Sequence, residues 1–278
     1  MGWLPIHKQN HTYSASRGDL RKQLRQAARG DIEAFKSVSE EYLDFVTEFL
    51  IVTGYHEEER IRSYTRQVFQ NLWQSIAYFR RVSDFERGLY IFLKQIPVNV
   101  APFQDPLIQK LVLLNSLQRF LVVARDLEQW SSKNLLLATR ISKQELNSPL
   151  FEAWKILVSF RKTDIDFATN TYMERVVENM EGPFAHADQQ KLCKKVKQNP
   201  IVSTFKADCL SLRCELIEMR QNARWNPPIK ASFFDELVED IALIKPLKPE
   251  FSERIKNQLS FQCVPHCGKL YSQLRSIS

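Results

Sequence analysis

Glycine is scarce in this sequence, with only 7 residues in 278, and long stretches contain neither glycine nor proline. Since these two residues mark most tight turns, such stretches favour helices over turn-rich β structure. No apolar run approaches the roughly 18 residues that a membrane span needs. The first residues also lack the apolar segment of a signal peptide. We therefore expect an all-α, cytoplasmic protein.

Cysteines are few, and all five lie in the last third of the chain. An odd number in a protein expected in the cytoplasm argues against a disulfide framework. Cys263 and Cys267 flank His266, so zinc has to be considered. A four-ligand set, however, needs a cysteine from far along the chain, and free cysteines are the favoured interpretation. We expect no metal and no cofactor.

Catalytic signatures are absent as well. The sequence contains no phosphate-binding P-loop, no dinucleotide-binding glycine turn, no paired zinc histidines and no nucleophile elbow. Its five histidines stand apart from any nucleophile pattern. The chain is therefore not expected to be an enzyme. A net charge of +7 fits partners that carry phosphate, but the charge is spread along the whole chain.

Helical periodicity dominates the first half. Apolar residues recur at spacings of three and four almost without interruption from Ser16 to Leu157. The proline-bounded stretch PVNVAPFQDP interrupts this pattern, and beyond Arg161 prolines arrive in clusters between short helical segments. We predict two small helical domains and a helical C-terminal domain. Their bounds are 16–98, 107–161 and 162–278, with a linker at 99–106.

One stretch of the first domain combines aromatic rings with arginines, and its sequence is RQVFQNLWQSIAYFRRVSDFERGLY (66–90). Helical spacing favours a buried stripe that includes Val68, Leu72 and Ile76. The alternative is a surface for unpaired nucleic-acid bases, which requires cationic groups for phosphate and aromatic faces for stacking. Both interpretations stay open at this point.

Two stretches resemble a known family. The entry motif Arg29-Gly30-Asp31 with Ala34 and Phe35, followed by the motif VFQNLW and the stretch after it, resembles region 2 of bacterial sigma-70-type factors of the extracytoplasmic-function group. Residues 114–157 are similar to region 4 of the same family, a helix-turn-helix unit. The two stretches cover about half of the chain, in the family's order.

The resemblance implies an RNA polymerase subunit that reads promoters. Region 2 of the family binds a coiled coil of the polymerase core and captures unpaired bases of the −10 element, while region 4 places a helix in the major groove. The implied DNA-binding residues are Tyr78, Phe79, Arg80, Arg81, Phe85 and Lys94. The implied contacts to polymerase core or a regulator are Arg62, Arg66, Phe69, Asn71 and Trp73.

Some positions depart from the family pattern. Arg62 and Arg66 reverse the charge where the family has acidic and amide residues, and Gly88 stands where a tryptophan is usual. In the second unit, Arg140 replaces the glycine of the turn. Pro149 falls inside the expected recognition helix, which we predict to break or to end early because proline costs about 3 kcal/mol there.

Residues 187–241 resemble the sigma-binding helices of anti-sigma factors without the zinc group. The leading hypothesis is therefore a sigma-factor-like regulator that binds polymerase core and promoter DNA and is restrained by its own C-terminal domain. The alternative is a degenerate sigma-type fold that binds a sigma or anti-sigma factor without recognising promoters. The reversed charge and Pro149 favour the alternative.

Overall fold

The computed structural model describes residues 17–100, 105–160, 165–178, 194, 196–223 and 225–247. All regular secondary structure in these ranges is helical, which confirms the predicted all-α class. The helices form three groups that follow one another along the chain.

The first group consists of four helices joined by short connections. Gly30 and Gly54 follow the first two helices with φ of 98° and 97°, a left-handed conformation that commonly ends helices. Asp31 begins the second helix, because its carboxylate accepts a hydrogen bond from the Ala34 N–H at 3.0 Å. A 3₁₀ turn (Ile76–Tyr78) lies between the last two. The helices are α1 (Arg17–Ala27), α2 (Ile32–Val52), α3 (Glu58–Gln74) and α4 (Val82–Leu93).

The second group begins at Pro106. The Asp105 carboxylate caps its first helix by accepting a hydrogen bond from the Leu107 N–H at 2.7 Å. Asn115 and Gln118 cap the next helix reciprocally. The elements are α5 (Pro106–Leu111), α6 (Ser116–Leu121) continued by a π-helical segment (Val122–Leu127), α7 (Ser132–Thr139) and α8 (Lys143–Leu157).

The turn between α7 and α8 contains the arginine that replaces a glycine of the family pattern. Arg140 has φ 59° and ψ 20°, the left-handed conformation that glycine adopts most easily. The backbone of this turn therefore has the shape that the glycine would allow, and the arginine adopts it at some cost in strain.

The prediction that the helix breaks at Pro149 is wrong, since α8 continues through it to Leu157. Proline removes one backbone hydrogen bond, and burial of the apolar side chains around it offsets this loss. Those buried side chains are Leu146, Leu150, Phe151 and Trp154.

The third group consists of α9 (Phe167–Glu178), α10 (Pro200–Ala223) and α11 (Pro227–Ala242). Helix α9 packs on α8, and α10 packs on α9 and on α2. Helix α11 lies on both α2 and α3. The segment predicted as a C-terminal domain thus contacts both of the preceding groups.

A common core joins the three groups. The rings of Phe45 and Trp130 stack with centroids 4.9 Å apart, and those of Tyr90 and Phe120 lie 4.7 Å apart. The buried apolar side chains of all three groups belong to one cluster. The predicted domain bounds therefore separate groups of helices that share a core. In the part of the chain that the structure describes, no helix is long and apolar enough to cross a membrane.

Candidate interaction site on α3

Helix α3 presents a buried apolar side and a basic edge. Its first turn carries Glu58 and Glu59, which the helix dipole favours at this end. The apolar residues Ile61, Val68, Phe69, Leu72 and Trp73 are buried. The helical repeat of 3.6 residues then places Arg62, Arg66 and Gln70 along one edge of that stripe. We call these three residues, with Phe69 and Trp73, the α3 face.

Helix α11 covers the α3 face. Its start is well defined, because Pro227 and Pro228 occupy the first turn and the Asn226 side chain accepts a hydrogen bond from the Ile229 N–H at 3.0 Å. Four of its apolar side chains are buried: Phe233, Phe234, Leu237 and Ile241. The rings of Phe69 and Phe233 lie 6.3 Å apart.

The basic edge of α3 is paired with carboxylates of α11. Arg62 and Arg66 both donate to the Glu236 carboxylate, and Arg66 Nε lies 3.3 Å from Asp240 Oδ2. Arg62 also donates to Ser232 Oγ at 2.9 Å. Partial burial favours the neutral form of Glu236, but the hydrogen bonds from Arg62 and Ser232 and the charges of Arg62 and Arg66 together outweigh this effect and lower its pKa.

Hydrogen bonds from uncharged donors extend the contact to the end of α3. Gln70 Nε2 donates to Asp240 Oδ2 at 3.1 Å, and the Trp73 indole Nε1 donates to the Ile244 carbonyl at 2.8 Å. Beyond α11, the Leu247 N–H donates to the Gln74 carbonyl at 2.9 Å. The contact thus runs along most of the length of α3.

Helix α2 holds the other side of α11 through ion pairs. Lys230 Nζ lies 2.6 Å from Asp44 Oδ1, and Lys36 Nζ lies 3.6 Å from Asp235 Oδ1. Both pairs are partly or largely exposed to solvent, so each contributes little to stability. They fix the direction of α11 in the groove between α2 and α3.

The structure brings together four of the five predicted partner-binding residues. Arg62, Arg66, Phe69 and Trp73 all contact α11 or the segment that follows it. Asn71 is half-buried on the same helix, and its carbonyl accepts a hydrogen bond from the Ser75 N–H.

The predicted DNA-binding residues divide by exposure. Arg80, Arg81 and Lys94 are exposed, and Tyr78 is half-buried. The Asp84 carboxylate accepts hydrogen bonds from the backbone N–H groups of Arg80 and Arg81, at 3.1 and 2.9 Å. The two guanidinium groups therefore project from a turn whose backbone is held in place.

The expectation that Phe79 and Phe85 offer ring faces to bases does not agree with their burial, since they expose only 2% and 0% of their surface. The reason lies at Gly88, where a Cβ atom would meet Phe79 Cζ at 2.6 Å. The Phe79 ring fills the space that a larger side chain would take, and it lies edge-on to Phe85 with centroids 5.7 Å apart. Both rings are part of the core.

Helix α8, the counterpart of a recognition helix, has little positive charge on its exposed side. Lys143, Glu145, Ser148 and Glu152 are exposed, so carboxylates outnumber cations there, and Lys155 forms an ion pair with Glu152 at 2.7 Å. The side chain of Asn147 donates to Glu178 of α9. A phosphate backbone would therefore meet carboxylates on this helix.

Sequence reasoning missed a buried ion network beneath α10. Arg220 Nε donates to Glu48 Oε1 at 2.7 Å and Arg220 Nη2 donates to Glu128, so one residue from each group of helices takes part. Burial, together with the neighbouring Glu128 charge, raises the pKa of Glu48 well above its usual range, and Arg220 partly offsets this. The sequence does not show which charged residues come into contact when they lie so far apart along the chain.

A second feature missed by sequence reasoning is a cleft of about 560 Å³ at the other end of α3. The residues that line it include Glu58, Asp105, Glu215, Glu218 and Trp225. Within the described ranges, no cluster of His, Cys, Asp and Glu side chains has the arrangement of a metal site. The candidate zinc ligands Cys263, His266 and Cys267 lie outside those ranges.

Comparisons with protein-family models, with curated proteins and with solved structures found no match to this chain. The resemblance to sigma factors therefore rests on the sequence motifs alone.

Proposed function

We propose that this chain is a cytoplasmic, sigma-factor-like regulator that binds RNA polymerase core through the α3 face and is restrained by its own α11. One observation carries the proposal: α11 and the segment that follows it cover four of the five residues to which the family resemblance assigns partner binding. A helix that occupies a partner's surface must leave before the partner can bind, and this requirement makes it a restraint.

Promoter reading by α8 is not part of the proposal. The exposed side of that helix carries Glu145 and Glu152, and the rings of Phe79 and Phe85 are in the core. The proposed regulator acts by protein contact, and its effect on transcription follows from what α11 allows the α3 face to bind.

Charge reversal at the contact tests this proposal. The double variant Glu236→Arg/Asp240→Arg places cations against Arg62 and Arg66 and should release α11. Immobilised full-length variant should capture at least ~10-fold more purified core RNA polymerase than the unchanged chain, since the competing helix is gone. Adding Arg62→Glu/Arg66→Glu should remove that gain.

The matched control is Glu218→Arg/Glu239→Arg, which makes the same change in net charge at two exposed positions away from the α3 face. It should capture no more polymerase than the unchanged chain. If the reversed chain does not fold, as judged by circular dichroism, the milder Glu236→Gln/Asp240→Asn variant takes its place. Absence of polymerase capture by a folded, released chain would reject the proposal.

A second candidate function is contact with single-stranded nucleic acid at Arg80 and Arg81, which the exposure of both guanidinium groups favours. The variant Arg80→Ala/Arg81→Ala should weaken binding of single-stranded −10-like DNA and lower the slope of log affinity against log salt by about 1.4. Arg21→Ala/Arg25→Ala, on the exposed side of α1, is the charge-matched control. Equal slopes for the two variants would exclude this site.

A further inference from the structure

Helices α3 and α11 run parallel in a regular register. Arg62 contacts Ser232 and Glu236, Arg66 contacts Glu236 and Asp240, and Gln70 contacts Asp240. Each step along α3 by one turn is matched by one turn along α11. A register that repeats once per turn allows one helix to select another through side chains spaced about four residues apart.

The α11 side of this contact combines three kinds of position. Phe233 provides an aromatic anchor that is fully buried beside Phe69. Glu236 and Asp240, three and seven residues further on, provide the carboxylates. Leu237 and Ile241 follow each carboxylate directly and are buried. The pattern is that of an amphipathic helix with one acidic edge.

The α3 face has the complementary charge, which its two arginines provide. These arginines lie between the buried apolar residues and solvent. Arg62 and Arg66 expose 22% and 31% of their side chains, so they are partly desolvated when paired. An approaching cationic segment would leave these guanidinium groups without counter-charge, which disfavours basic partners strongly.

We infer that the partner segment recognised by the α3 face is an acidic amphipathic helix, which binds parallel to α3 in the register that α11 shows. This inference rests on the proposed function, because it assumes that the partner uses the α3 face. The partner helix replaces α11 and repeats its pattern: an aromatic residue, carboxylates at +3 and +7, and apolar residues at +4 and +8.

The intramolecular position of α11 gives it a high effective concentration at the α3 face. A free helix of equal intrinsic affinity therefore binds the intact chain poorly and binds a released chain well. This difference separates recognition by the α3 face from non-specific adhesion to the basic surface.

A designed peptide tests the pattern itself. The peptide is a fluorescently labelled helix of about 20 residues. It carries the aromatic residue, the carboxylates at +3 and +7 and the apolar residues at +4 and +8, and all its other positions are alanine or glutamine. Its fluorescence anisotropy, measured in titrations with the full-length Glu236→Arg/Asp240→Arg chain and with the unchanged chain, gives the two affinities. We expect at least ~10-fold tighter binding to the released chain, with affinity that falls as salt rises.

Two controls make the result specific. The same peptide with lysine at both carboxylate positions should bind the released chain at least ~10-fold more weakly, because it opposes Arg62 and Arg66. On a chain that carries Arg62→Glu/Arg66→Glu alone, which releases α11 by repulsion of Glu236 and Asp240, the lysine peptide should become the better ligand. If reversal of α11 unfolds the chain, Glu236→Gln/Asp240→Asn is used for release.

Equal binding of the acidic and lysine peptides, or no binding of either to a folded released chain, would overturn the inference. Polymerase capture without binding of the acidic peptide would reject the acidic helix and leave the proposed function standing. Binding of the acidic peptide without polymerase capture would reject the proposed function and support recognition of an acidic amphipathic helix by the α3 face.

Discussion

Glu86 of α4 is a carboxylate buried among the first four helices. Arg17 Nη2 donates to its Oε1 at 2.7 Å and the Tyr42 hydroxyl donates at 3.3 Å, while the side chain exposes only 2% of its surface. Burial raises the pKa of Glu86 from an ordinary 4.5 to about 7, against the opposing effects of Arg17 and Tyr42. The folded chain therefore keeps a proton that the unfolded chain has already released.

This raised pKa makes stability depend on pH. Between pH 4.5 and about 7 the folded chain binds more protons at Glu86 than the unfolded chain, so the free energy of unfolding falls as pH rises through this window. The amide introduced by Glu86→Gln does not titrate. The difference to follow is the free energy of unfolding of the variant minus that of the unchanged chain. We expect this difference to increase by about 3 kcal/mol as pH rises from 4.5 to about 7, and to stay constant at higher pH. Urea unfolding at a series of pH values measures this difference, and a difference independent of pH would contradict it.

At the scale of single elements, the turn between α7 and α8 stores backbone strain at Arg140, whose φ is 59°. Replacement by glycine removes the Cβ contact that penalises this conformation, and the exposed side chain loses no buried contact. We expect Arg140→Gly to raise the free energy of unfolding by about 0.5–1 kcal/mol. Thr139→Gly, one residue earlier at the last position of α7, should lower it by roughly 0.5–1 kcal/mol, because glycine has a lower helix propensity and the hydrogen bond from Thr139 Oγ1 to the Leu135 carbonyl is lost. Destabilisation by both changes would contradict the assigned turn.

Single elements were the most predictable level of this structure. The apolar period predicted the helices of the first half of the chain, and the residues that mark the ends of α1 and α2, Gly30, Asp31 and Gly54, act within a few residues of those ends. Pro149 shows the limit of such reasoning. Its local cost predicted a break, whereas burial of α8 against other helices keeps the helix continuous. Burial depends on contacts between distant residues, which a local pattern does not contain.

Only the α3 side of the candidate site was predictable from the sequence. Helical spacing placed Arg62, Arg66, Phe69 and Trp73 on one helix, and the family resemblance marked them as contacts. Their partner α11 begins at Pro227, far along the chain, and no periodicity identifies which helix covers a given face. The burial of Phe79 was equally hidden, because it follows from the absence of a side chain at Gly88.

At the scale of the whole molecule, Arg220 joins all three groups of helices. It lies between Glu48 of α2 and Glu128, and 6% of its side chain is exposed. Removal of the guanidinium would leave two carboxylates in the interior without their counter-charge. We expect Arg220→Ala to cost about 3–5 kcal/mol of stability in thermal or urea unfolding.

Two further variants separate this charge effect from loss of packing. Glu218→Ala, an exposed position on the same helix, should change stability by less than about 0.5 kcal/mol. Glu48→Gln in the Arg220→Ala background should recover part of the loss, because the amide avoids the cost of burying the Glu48 carboxylate or of protonating it. A further loss of stability in that double variant would contradict the role assigned to the network.

A displaceable α11 must leave the α3 face without unfolding the core. Amide hydrogen exchange of the full chain tests this requirement most directly, by comparing residues 227–242 with α2 in the unchanged chain and in Glu236→Arg/Asp240→Arg. We expect α11 to exchange faster than α2 in both chains. In the variant, α11 should exchange at least ~10-fold faster than in the unchanged chain, while exchange in α2 stays the same. Exchange of α11 and α2 at one common rate in both chains would show that α11 is an inseparable part of the core and not a displaceable cover.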